Sequence, residues 1–173
     1  MRSIAWTGPV LLLALAACGG GEKKAAGDSA TATTVAVAAD TAAGAAAAAT
    51  SPGAEKYTQV CGACHQANGE GLEGNFPPLA GSEWLNGKAE VPIAIVLHGM
   101  QGEIEVKGKK YNGAMAPWGG AMTDAEIAAV LTHERSSWGN SAPAVTEEEV
   151  KTVRAKYASR TAAWSPAELA PLR

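Results

Sequence analysis

The chain has 173 residues, of which 47% are hydrophobic, 18% charged and only 5% aromatic. That length suits one domain with appendages, and a formal charge of −3 argues against the basic face of a nucleic-acid binder. Three cysteines leave one over from any pairing, which argues against a disulfide framework. A single Phe beside five Trp and three Tyr leaves the interior short of large rings, so another apolar body must fill it.

Residues 1–17 read as an export leader. Arg2 gives the positive start and Val10-Leu11-Leu12-Leu13-Ala14-Leu15 the apolar run, which is too short for a membrane span. The leader ends Leu15-Ala16-Ala17-Cys18, which resembles a bacterial lipoprotein signal. The resemblance implies cleavage before Cys18 and acylation of that residue, and two or more acyl chains anchor stably. Cleavage at a nearby Ala-x-Ala-like site, giving a soluble secreted protein, is the alternative. From Gly19 to Pro52 the chain holds 14 alanines, five glycines and five threonines. Such a stretch buries too little to offset its ordering entropy, so residues 18–52 are expected to form a disordered tether.

Cys61-Gly62-Ala63-Cys64-His65 is the most informative segment. Two thiols at i and i+3 followed by an imidazole form the attachment pattern of c-type haem. On one helical turn both sulfurs can reach the two vinyl groups, and the next residue turns its ring toward the iron. A CxxC redox pair would need a strand-then-helix context, and half a zinc site would need a second Cys/His pair where only His98 and His133 remain.

Further along, Val91 to Gly99 reads as a short buried helix with proline near its start and glycine past its end. Glu103 to Tyr111, with Gly108 at the turn, suggests a small hairpin. Thr123-Asp124-Ala125-Glu126 is a capping box leading into Ile127, Val130, Leu131 and Trp138 on one expected helix face. Thr146 to Glu149 is a second capping box, and Ser165-Pro166-Ala167-Glu168 opens a third, very short helix.

Taken in order, CGACHQANGEG, NFPPLAGSEWL, VLHGMQG, YNGAMAPWGG and TDAEIAAVLTHERSSWGN resemble class I cytochrome c from about residue 53 to 140. The resemblance implies an all-α class I cytochrome c fold, with short helices and loops around one covalently bound haem c. The cytochrome domain is expected over 53–141 and a helical extension over 142–173, which should pack on the domain rather than await a partner. The resemblance also implies that His65 and a downstream methionine ligate the iron. Met115, in the segment Asn112 to Trp118, holds the matching place, although its proline falls one position later than the common pattern. Met100, Met122 and His98 are the rivals. By the same resemblance the His65 ring is oriented by a proline carbonyl, from Pro77 or Pro78, with Pro78 taken as the cofactor-binding residue. Tyr111 and Trp118 are expected at the haem edge or on a propionate, with simple core packing as the alternative.

The function implied is transfer of single electrons between redox protein partners such as a dehydrogenase, reductase or terminal oxidase, with no small-molecule substrate and no catalytic residue. The expected setting is the periplasmic side of the cell envelope, with Cys18 as the membrane anchor. The alternatives are a haem subunit of a larger oxidoreductase complex and a peroxidase-like or ligand-binding haem protein.

Overall fold

Serine and threonine side chains start most of the helices. The computed structural model describes residues 51–173; the leader, Cys18 and most of the tether lie outside the described residues. Ser51 accepts from the Ala54 N–H at 3.2 Å and Pro52 follows it, which opens α1 (Pro52–Lys56). The chain then widens into a π-helical turn, Tyr57–Cys61, before α2 (Gly62–His65). The two cysteines of the motif therefore straddle a change of helical pitch instead of sharing a uniform α-turn. Single π-turns of this kind occur often at functional sites.

Ser82 caps α3 (Glu83–Asn86). The next helix, α4 (Glu90–His98), is the apolar run expected from the sequence, and it buries Val91, Pro92, Ile93, Ala94, Val96 and Leu97. It is apolar nearly all round because neighbours cover most of it. The hairpin follows as β1 (Ile104–Val106) and β2 (Lys109–Tyr111), paired antiparallel with Ile104 opposite Tyr111 and Val106 opposite Lys109. Its two-residue turn has φ of 53° at Lys107 and 74° at Gly108, the positive pair of a type I′ turn that matches strand twist.

The capping box at Thr123 opens α5 (Asp124–Ser136), with Thr123 and Glu126 exchanging their hydrogen bonds. Ile127, Val130 and Leu131 face the core as expected. Trp138 does not extend that face as a helical residue: α5 ends at Ser136 and Trp138 sits in the left-handed region at φ 53°. From there its ring packs against Tyr57 and His133, with centroids 4.9 and 5.6 Å away.

Helix α1 crosses α5 at Gly53, where a Cβ would run into the Ala129 carbonyl and the His133 Cβ. Only a glycine lets the two backbones meet there.

The second and third capping boxes open α6 (Glu147–Lys156) and α7 (Pro166–Leu169), and a 3-10 turn, Ala170–Leu172, follows. Val145, Val150, Val153, Trp164 and Leu169 of this segment are buried in the same core as α4 and α5. Arg154 ties it down further: its guanidinium donates to Asp124 at 2.7 Å, to the Gly119 carbonyl at 2.6 Å and to the Met122 carbonyl at 3.2 Å. The described residues are thus mostly helical, with one small sheet and the extension packed on the rest.

Candidate functional site

The imidazole of His65 is 9% exposed, and its Nδ1 lies 3.0 Å from the Pro77 carbonyl oxygen. A carbonyl only accepts, so Nδ1 carries the proton and Nε2 is left with a free lone pair. A second ring nitrogen fixed in this way is the usual arrangement of a metal-binding histidine. Burial is the main cause that lowers the ring's pKa, with the Pro77 contact opposing it, and the neutral form is the one that ligates. The orienting carbonyl is therefore that of Pro77 and not of Pro78. Pro78 is the next residue along and lines the cavity, but its own carbonyl is not the one that faces the ring.

A tight loop delivers Pro77. Gly71 N–H donates to the His65 carbonyl at 3.0 Å, and Leu72 and Phe76 bond across the loop at 2.8 Å in both directions. Gly71 has φ 67°, and a Cβ there would strike the carbonyls of Phe76 and Pro77. Nothing in the motif spacing marks this glycine, because the backbone it must admit lies beyond it in the chain.

His65, Cys61 and Cys64 line one cavity together with Met115, Trp118 and Pro78. Its walls are mainly apolar, formed by side chains such as Ile95, Val96, Val130 and Leu131. Cys61 is half-buried and Cys64 exposed, both as free thiols. Met100 and Met122 line the cavity as well, each 6% exposed. Tyr111 is found in the core, one of the two placements expected for it. It closes β2 opposite Ile104, is 5% exposed within the core, and is not among the residues lining the cavity. The hairpin register sets it on the same face as Ile104 and Val106, which line the cavity, and it packs in the core beside that wall. His98 lies outside the lining too; its ring stands edge-on to Tyr157 at 6.5 Å.

Backbone pairing positions the methionine loop. Gly99 has φ 75°, and a Cβ there would meet the Met115 carbonyl oxygen at 2.5 Å. Met100 then bridges antiparallel to Met115 on one side and parallel to Trp164 on the other. Gly113 closes the loop's far end, where a Cβ would strike the Asn75 carbonyl.

One residue of the wall was overlooked in the sequence. Glu134 of α5 is 5% exposed and lines the cavity beside the Cys61 thiol. Burial pushes its carboxyl up to about 8, and the same burial together with Glu134 raises the Cys61 thiol. The signal was available, since Ile127, Val130, Leu131 and Glu134 stand at i, i+3, i+4 and i+7, so the periodicity sets a carboxylate within the apolar stripe.

This donor set fits a covalently attached haem. It comprises two thiols beside one another, an imidazole with a free nitrogen, thioethers across the cavity and apolar walls for a porphyrin.

The comparisons agree. Residues 50–138 match the family model described as Cytochrome c. The chain is 49% identical over 113 residues to cytochrome c-552 of Thermus thermophilus, spanning 60% of this chain and 85% of that protein. It is 36% identical over 109 residues to the gluconate 2-dehydrogenase cytochrome c subunit of Pantoea cypripedii, covering 59% of this chain and 24% of the subunit. It is also 32% identical over 106 residues to the alcohol dehydrogenase (quinone) cytochrome c subunit of Gluconacetobacter polyoxogenes, at 60% and 22%. The chain belongs to the cytochrome c family, and is an electron-transfer protein with covalently bound haem c.

Proposed function

We propose that this cytochrome c carries single electrons between envelope redox proteins while tethered to a membrane through Cys18, and that His65 and Met115 are the residues that would hold its haem iron. The observation that carries the ligand assignment is the meeting of the CxxCH segment and the Met115 loop at one apolar cavity. When bound, the haem supplies a one-electron ferric/ferrous couple. The protein's part is to orient and to exclude water. Pro77 holds the His65 ring by its Nδ1–H, and Met100 holds the Met115 backbone at 3.1 and 2.8 Å. Met115 is favoured over its rivals because it sits on the loop, only partly buried, whereas Met100 and Met122 are core residues. A thioether stabilises ferrous iron and so raises the potential.

Two features support the tether and its setting: the leader ending at Cys18 and the alanine-rich stretch after it. A dehydrogenase or oxidase suits the partner role, and the likeness to dehydrogenase cytochrome subunits favours the former. The test is fractionation of cells expressing the wild type and Cys18→Ser. The wild type should sediment with membranes and leave them in detergent. Cys18→Ser should be soluble or keep its leader, with an unchanged haem spectrum. A processed Cys18→Ser protein that stays membrane-bound refutes the lipid anchor. Co-purification of a dehydrogenase from detergent extracts separates a fixed subunit from a free carrier.

A further inference from the structure

Glu134 is an ionisable group in a place where the fold elsewhere puts hydrocarbon. It lies on the buried face of α5 with Ile127, Val130 and Leu131, and its carboxyl faces the Cys61 thiol. In the haem-loaded protein that sulfur is a thioether and has no hydrogen to donate. The carboxyl then faces an apolar cavity without the donor it has in the free-thiol chain, and a buried carboxylate so placed favours its neutral form.

The charged and titratable groups around it are otherwise engaged. Tyr57, from the π-turn, donates its hydroxyl to the Gln66 carbonyl at 2.5 Å. His65, from α2, is committed to Pro77, and Cys64 is exposed at the cavity mouth. On α5 itself, His133 packs against Tyr57 and Trp138. Arg135 spends its guanidinium on the carbonyls of Leu85, Gly87 and Pro143. From α3, Glu83 faces the Lys107 N–H at the surface. Burial, and not a neighbouring charge, is the chief cause of the raised carboxyl.

We propose that Glu134 is a redox-linked proton site of the haem cavity: its carboxylate takes up one proton from solvent as the iron gains one electron, and releases it on oxidation. The electron comes from the redox partner and the proton from water, so charge and atoms balance. The sign follows from electrostatics. Ferric haem carries one more positive charge than ferrous haem, so it holds Glu134 ionised more strongly, and reduction removes that support. The midpoint potential therefore falls as pH rises between the carboxyl's two pKa values. A tenfold difference in proton affinity between the oxidation states corresponds to about 59 mV across that window. The inference rests on the haem lying against Cys61 and His65.

The experiment is redox titration of the holoprotein, followed by its visible spectrum, from about pH 5 to about pH 9, a span that brackets a raised carboxyl. Wild type should show a potential that declines with pH, and Glu134→Gln should lose that step while keeping a low-spin spectrum. Glu134→Leu, which restores hydrocarbon to the wall, should behave as Glu134→Gln does and covers the case in which the amide impairs maturation. Infrared difference spectra should gain a protonated-carboxyl C=O band on reduction of wild type and not of either variant. A step that survives in both variants, or a wild-type difference spectrum without the band, overturns the proton role and leaves the haem placement standing. Wild-type protein that lacks covalent low-spin haem overturns the placement instead.

Discussion

Met100 and Met115 exchange both backbone hydrogen bonds, Met100 N–H to the Met115 carbonyl at 3.1 Å and the reverse at 2.8 Å. Two methionines that line one cavity are thus locked side by side. Removing either thioether leaves this pairing intact, because the bonds are main-chain. Side-chain substitutions can therefore separate ligation from loop position.

Met115→Ala should lose the low-spin His/Met ferric spectrum and lower the midpoint potential, by something on the order of 100 mV given the span axial ligands control. Met100→Ala should alter packing and cost about 2–5 kcal/mol of stability as a buried Met truncation, with the ferric spectrum unchanged. Spectra and potentials of the pair, recorded side by side, make the check. The reverse pattern moves the sixth ligand to Met100.

Haem should remain on the polypeptide through acid-acetone extraction and denaturing gels if Cys61 and Cys64 hold it by thioethers. Replacing both cysteines by serine should leave a largely unfolded chain, because the porphyrin is the main apolar body of a cavity with few rings of its own. Far-ultraviolet circular dichroism of the variant reads the outcome. A helical, cooperatively unfolding apoprotein contradicts it.

Gly53→Ala should destabilise the α1–α5 crossing. The new methyl runs into the Ala129 carbonyl, and backbone has little room to give, so a loss of about 1–3 kcal/mol is expected from overpacking. Denaturant unfolding of the holoprotein measures it. Gly108→Ala is a useful contrast, since nothing lies within 4 Å of its Cβ and the cost is φ strain alone.

Acid should weaken the helix starts. Glu126 is held down at about 2, first by Lys56 and then by the Thr123 groups it caps, and Glu168 is held at about 2 chiefly by Ser165 and Arg160. Both folded-state values lie below the ordinary 4.5. The stability these carboxylates contribute is therefore full above that value and lost as pH falls toward about 2. Glu126→Gln should flatten the thermal stability profile of the holoprotein in that window. An unchanged profile refutes the assignment.

What could be read from the residues alone was the chemistry that acts over a few positions. The capping boxes at Thr123, Thr146 and Ser165, the turn at Lys107-Gly108 and the CxxCH segment each carry their cause within four or five residues. Gly53, Gly71 and Gly113 were silent, because what each must admit is a carbonyl of Ala129, Phe76 or Asn75, brought there only by the fold. Gly99 was legible as a helix stop but not as the place where the Met115 carbonyl passes. Tyr111 was drawn toward the site by its nearness to Met115 in sequence, and a register of two short strands turned it into the core. Trp138 kept the helical spacing of its face, but the helix had already ended.

The Trp164 bridge to Met100 has a consequence for synthesis. Gln101 N–H donates to the Trp164 carbonyl at 2.8 Å, and Trp164 N–H donates to the Gly99 carbonyl at 3.0 Å. A chain made from its N-terminus holds every residue that lines the cavity once Glu134 has been added, yet the strand at Met100 stays bare along its outer edge until Trp164, thirty residues further on, has been added. A message cut short after Asn140 would encode a complete set of cavity-lining residues on a polypeptide whose ribbon is missing its third rail.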